Sequence, residues 1–196
     1  MTPSTVYLLP VGFPMGVLHG EGAPVAVIRV GAGLAEVGLA EYEVWNLAAE
    51  HPAHDALVAA AYRAGVPDPA AVLGTLHGSG LLTVADPASA ELPHVLSRLR
   101  LVALGIGLGN TPAEPETCLI SGPDLEPRVS VSPGVYSVWA TSYQADIWTA
   151  CGWLATQPEP PETSPAGVLR LRLARAVVAS LPVLLAGGVA YLDEAA

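Results

Sequence analysis

Few residues in this 196-residue chain could do covalent chemistry: two cysteines, five histidines and the serines beside them. Cys151 lies in IWTACGWLA, between Trp148 and Trp153. A nucleophilic thiol needs a base or a positive neighbour to lower its pKa, and no histidine follows His94. Cys151 therefore reads as a small residue of a core face, and Cys118, in TCLIS, reads the same way. Two cysteines make no disulfide framework and fit a reducing, cytoplasmic setting. The stretch EHPAHD, Glu50 to Asp55, puts two histidines and two acids within six positions. Zinc accepts such groups, but a pair of histidines spaced across Pro52 is not a helical pair, and no further cluster completes a site. It reads as a polar connector between helices. HGSG, His77 to Gly80, sets Ser79 near a histidine without the G-x-S-x-G elbow of a serine hydrolase. LGIGLGN, Leu104 to Asn110, has G-x-G-x-G spacing and is followed by TPAEPE, where Pro112 and Pro115 argue against the helix a dinucleotide site requires. A strand or bulge fits better. His19 and His94 are isolated. These motifs lead to an expectation of no catalytic residues, no metal and no cofactor.

Charge narrows the partner class. There is no lysine; eight arginines face eighteen acids, for a net charge of −10. Nucleic-acid binding draws most of its affinity from cations that neutralise phosphates, so this balance argues against it. The distribution is uneven: residues 1–97 hold nine acids and two arginines, and residues 98–196 hold nine acids and six arginines. An anion-friendly surface is expected in the second half. The N-terminal MTPSTVYLLPVGFPMG lacks a positive region and is broken by proline and glycine, which argues against a signal peptide. The apolar run Val177 to Leu192 is shorter than the roughly 20 residues of a membrane span; it reads as a buried helix, a turn and a strand.

The elements that would position these residues follow from periodicity. Hydrophobic residues make up 52% and charged residues 13% of the chain, enough apolar material for one large or two small cores. PVAVIRV is β-branched and reads as a strand, and LAEVGL as a second. Tyr42, Trp45 and Ala49 begin a helical pattern that Pro52 stops. His54 or Asp55 is placed to cap a helix from Ala56 to Ala64, closed by Gly65. Asp68 caps a third helix with Pro69 in its first turn, presenting Val72, Leu73 and Leu76 on one face; LLTV is then a strand. From Thr117 the order recurs: strands TCLIS and PRVSV, a helix from SPGVYSVWATS, a second capped by Asp146, the proline-rich QPEPPETSP, a long helix from Ala166 interrupted near Pro182, and the strand VAYLD. The first twenty residues read as strands extending the first sheet, and Leu92 to Pro115 as a linking strand and loop.

The recurrence extends to particular residues. EYEVW, Glu41 to Trp45, matches VYSVW, Val135 to Trp139, and Val37 and Val131 each precede the tryptophan by eight positions. Val72 and Leu76 are matched to Val177 and Leu181, and the turn, strand and Asp of Gly80 to Asp86 to those of Gly188 to Asp193. A degenerate tandem repeat divided near Pro93 is expected, with residues 1–93 and 94–196 as its modules. Trp45 and Trp139 are then core anchors, whereas Trp148 and Trp153 have no counterpart and are available to a partner.

A three-helix unit entered by short strands, with a tryptophan in its first helix and VLGTLHGSGLL leading into a last strand, resembles the winged helix-turn-helix. It is similar also to the PqqD-like fold, the RiPP recognition element. The resemblance covers Ala23–Asp86 and Thr117–Asp193, and implies an α+β protein of two tandem winged-helix-like modules, each a small antiparallel sheet with three helices. Two copies and a proline-rich insert depart from the usual single PqqD-like domain. A DNA-reading winged helix sets its third helix in the major groove, but DPAAVLGTLHG carries no side chain suited to a base edge. PqqD-like domains bind a peptide as an added strand, a mode that needs little positive charge. The resemblance thus implies a non-catalytic peptide- or protein-binding accessory protein in the maturation of a ribosomally made peptide. Arg170, Arg172 and Arg175, with Trp148 and Trp153, are the expected peptide-binding residues. Arg172 and Arg175, three apart on a helix, would meet an acidic peptide, or would equally serve as solvated charges. The alternatives are a winged-helix-derived regulator and a peptide-modifying enzyme using Cys151 or His54.

Overall fold

The computed structural model describes residues 6–157 and 164–195, so most of the proline-rich insert, 158–163, lies outside the described residues. The protein is α+β. Strand β1 (Tyr7–Pro10) is followed by an antiparallel meander of β2 (Phe13–Leu18), β3 (Val25–Val30) and β4 (Gly33–Gly38). Helices α1 (Leu39–Glu50), α2 (His54–Arg63) and α3 (Pro69–Gly78) follow, and β5 (Leu82–Ala85) returns to pair with β1. The short helix α4 (Leu92–Ser97) leads to β6 (Leu99–Ala103). A second meander follows, β7 (Ile106–Thr111), β8 (Glu114–Ser121) and β9 (Pro127–Val131), then α5 (Pro133–Ala140), α6 (Ile147–Ala155) and α7 (Ala166–Ala186). Strand β10 (Ala190–Glu194) pairs with β6. Strand, meander, three helices and returning strand thus occur twice in order.

Local chemistry accounts for the helix ends. The Asp68 and Asp146 carboxylates accept the backbone N–H groups of Ala71 and Thr149, at 3.1 and 2.7 Å, satisfying donors that the first turn leaves free. Glu41 accepts from the Gly38 N–H at 2.7 Å, which fixes the entry to α1. Three expectations are corrected. Neither His54 nor Asp55 caps α2: Ala53 is the N-cap and His54 already lies inside the helix, its ring against Asp55. Helix α7 runs unbroken through Pro182; the missing N–H costs one intrahelical bond, while Leu181, Leu184 and Leu185 on either side stay buried. The segment Leu92–Pro115 is more than a strand and loop, since it forms α4, β6 and most of the β7–β8 hairpin.

The register also revises the residue correspondences. Leu81 donates its N–H to Leu76 and Val189 to Leu184, each after a glycine at positive φ, Gly80 and Gly188. Counting back from those turns, Leu73 and Leu76 match Leu181 and Leu184, rather than Val72 and Leu76 matching Val177 and Leu181. By the same count Asp86 is level with Glu194, and Asp193 with Ala85. The glycines after β1 and β6 meet similar surroundings. A Cβ on Gly12 would meet Ile28 Cγ2 at 2.5 Å and the Arg29 carbonyl at 2.8 Å; one on Gly105 would meet Ile120 Cγ2 at 2.8 Å and the Ser121 carbonyl at 2.6 Å. After each entering strand, β1 and β6, the meander leaves room for glycine alone.

The buried residues form two clusters. The smaller holds Ala26, Ile28, Val37, Trp45, Leu57, Leu73 and Leu76, from the first meander and α1–α3. The larger is built on α5–α7 and the second meander, yet takes in Leu9, Val11 and Ala85 from the first part, and Leu92 and Leu96 of α4. Pro93 sits in the first turn of α4, within this shared packing. Val11 bridges Leu192 in parallel, and the Gly12 N–H donates to the Leu192 carbonyl at 2.7 Å. Asp193, fully buried, accepts from the Gly31 N–H at 2.6 Å, from Arg29 at 3.5 Å and from Arg100 at 3.3 Å. The last strand is therefore joined to the first part of the chain by backbone bonds just after β1 and by one buried carboxylate at the end of β3. No helix among the described residues is long and apolar enough to cross a membrane.

Candidate functional site

The two matched tryptophans are packing residues. Each is 5% exposed, and each indole N–H satisfies a backbone carbonyl: Trp45 that of Val11 at 3.0 Å, Trp139 that of Val189 at 2.9 Å. The two acceptors are not equivalent positions. Gly105 donates to Val189, but its counterpart Gly12 has turned to Leu192, so the entering strand of the first part is drawn toward β10 and the acceptor moves with it.

The tryptophans and arginines of the second half have divided roles. The Arg170 guanidinium lies 3.8 Å from the centroid of the Trp148 ring and donates from Nε and Nη2 to the Trp148 carbonyl, at 3.0 and 2.8 Å. A side chain on Gly152 would strike that guanidinium, with a Cβ 2.8 Å from Cζ; the glycine lets Arg170 lie flat across α6. Arg170 is a strut between α6 and α7. Arg175 donates to the Pro87 carbonyl at 3.1 Å and ties α7 to the β5–α4 connection. The structure therefore does not gather the three arginines onto one surface. Arg172 alone of them lines a groove of about 560 Å³ between the N-termini of α5 and α7 and the C-terminus of α6. Leu154, Leu169 and Leu173 give this groove apolar walls, Ser132, Ser137 and Gln157 give it polar edges, and Arg172 is the one charged residue among its described lining. Trp153 is 42% exposed on the same helix as Leu154.

No family model, curated protein or solved structure matches this chain. Its chemistry must be read from its own side chains. Cys151 is fully buried, and loss of solvent pushes its thiol up to about 12 despite the opposing charge of Arg170, which favours the protonated form at neutral pH. Cys118 is buried in β8 beneath α5. His54 is exposed and paired with Asp55 at 3.0 Å. Among the described residues no group of three or more His, Cys, Asp or Glu side chains is placed to hold a metal ion. All of LGIGLGN but Leu104 and Gly105 lies in β7, with register shifts around Gly107 and Gly109, and the following Pro112–Ala113 is the tip of the hairpin into β8. Of the five expected binding residues, Arg172 is the one that lines the groove between α5, α6 and α7. Sequence periodicity could place Arg172 on α7; that Arg170 turns inward depended on Gly152, eighteen residues away and silent in any pattern.

Proposed function

We propose that this protein is a non-catalytic peptide- or protein-binding protein, and that the groove between α5, α6 and α7 takes the partner. The observation that carries the reading is the lining itself: apolar walls, one cation and no acid among the described residues. Its volume lies within the range of small-ligand sites, about 300–1,000 Å³. An extended segment with apolar side chains and at least one carboxylate complements it. The PqqD-like resemblance makes the finer form of this proposal a precursor peptide, recognised during maturation of a ribosomally made product. The regulator alternative receives less support, because Arg170 and Arg175 are spent on internal hydrogen bonds. The enzyme alternative loses Cys151 to burial.

The test is fluorescence polarisation with two labelled decapeptides, one of alternating Glu and Leu and one of alternating Lys and Leu. The acidic peptide is expected to bind with a Kd on the order of 10 μM and to weaken as salt rises. Arg172→Glu should weaken it about tenfold, the effect of reversing one partly exposed charge. Equal binding of both peptides, or indifference to Arg172→Glu, would refute the assignment to this groove.

A further inference from the structure

A second groove, of about 460 Å³, lies where the first and last strands meet. One wall is the HGSG turn between α3 and β5, held by Gly80 at φ +77°. The opposite wall is α4, with β10 at the end. Its floor is apolar, made by Val11, Val30, Leu82, Val95 and Leu99. Its rim carries His77, His94 and Arg98, so three of the chain's thirteen basic side chains, eight Arg and five His, line one small groove. In a chain of net charge −10 such convergence needs a reason. None of the three side chains makes a hydrogen bond or ion pair with a described residue, although Glu194 lines the same groove. The other rim groups, Ser79 and Thr83, are small hydroxyls.

A guanidinium presents a planar fork that matches a carboxylate with two parallel bonds, and imidazole N–H groups add donors. One permanent cation beside one carboxylate, Glu194, suits a singly charged anion better than a doubly charged phosphate. The apolar floor calls for a hydrocarbon body behind the charge. We propose that this seam groove binds a carboxylate carried on an apolar body, gripped by Arg98 and oriented by His77 and His94. Such a group occurs on a small organic acid and at the C-terminus of a peptide ending in an apolar residue.

The two sources are separated by titrating the whole protein with 4-methylpentanoate and with a hexapeptide ending in Leu, each beside its amide, while following the histidine ring and methyl resonances by NMR. The free acids are expected to shift His77, His94, Val95 and Leu99 saturably, and the amides to leave them unmoved up to about 10 mM. Arg98 is exposed, so Arg98→Gln should keep the native spectrum and weaken the acids at least tenfold, and Glu194→Gln should tighten them. Tighter binding of the peptide acid, by tenfold or more, identifies a chain terminus as the ligand; equal binding identifies a small acid. The proposal is overturned if neither acid binds, if the amides bind as well, or if Arg98→Gln has no effect.

Discussion

At the scale of single residues, the most informative side chains are those whose polar atoms are committed inside. Replacing Trp45 or Trp139 by Phe keeps the ring and removes the N–H, leaving the Val11 or Val189 carbonyl short of a donor. Each variant should lose about 1–3 kcal/mol, read from the urea midpoint at unchanged slope. The loss should be smaller at Trp139, because Val189 also accepts from Leu104 and Gly105. Cys151 makes a different test. With its thiol buried and pushed up to about 12, the reactive thiolate is scarce at pH 8. Iodoacetamide should leave it unlabelled in the native protein and label it fully in urea, as mass spectrometry would record. Labelling of the folded state at the rate of a free thiol would contradict this burial. The tryptophan pair and the buried cysteines were legible in the sequence, because a repeated aromatic and cysteines set in apolar stretches are visible there. The inward turn of Arg170 was not, since a cation over an indole is decided by tertiary approach.

At the scale of elements, caps and glycines carry the specification. Asp146→Ala removes the acceptor at the start of α6 and should cost about 1 kcal/mol; Asp68→Ala should cost a similar amount at α3. Gly12→Ala and Gly105→Ala should each cost about 1–3 kcal/mol, since the added carbon meets an isoleucine methyl and a backbone carbonyl in both places. Gly12→Ala should be the worse, as it also forces a side chain into φ +106°. Thermal unfolding of the two variants would check the ranking. Most strands and helices follow from β-branched runs, helical spacing and Asp, Pro and Gly punctuation. The stretch from α4 to β7 did not declare itself. Helix α4 has only six residues, with a proline in its first turn, and β7 is interrupted by glycines at each register shift. Pro182 misled in the other direction, because buried leucines on both sides hold α7 together across one missing bond.

At the scale of the whole molecule, the sheet pattern and the packing pattern do not divide the chain in the same way. Each meander and each pair of outer strands closes within its own half, but the larger core and Asp193 join the two. Unfolding in urea should therefore be a single transition, with tryptophan fluorescence and far-ultraviolet circular dichroism superimposable; two separated transitions would show that the seam is weak. Asp193→Ala should cost about 2–4 kcal/mol, reduced from the cost of a fully buried pair because Arg29 and Arg100 keep 33% and 38% side-chain exposure. The recurring order of elements was foreshadowed by the spacing of EYEVW and VYSVW. The joining of β10 to the first strands was not, because backbone bonds between Gly12 and Leu192 leave no side-chain signature.

The pairing of β6 with β10 has a consequence in time. Residues 99–103 wait for residues 190–194, and synthesis at about 5–20 residues per second puts roughly 4 to 17 seconds between them. Through that interval Leu99 and Leu101 have no strand beside them, and Trp139 emerges long before the carbonyl of Val189 that it will cap. Both strands of the β1–β5 pair have been made before residue 99, whereas β6 stays without its partner until the end of the chain. Its apolar surface is then open to any chaperone that reads the nascent chain.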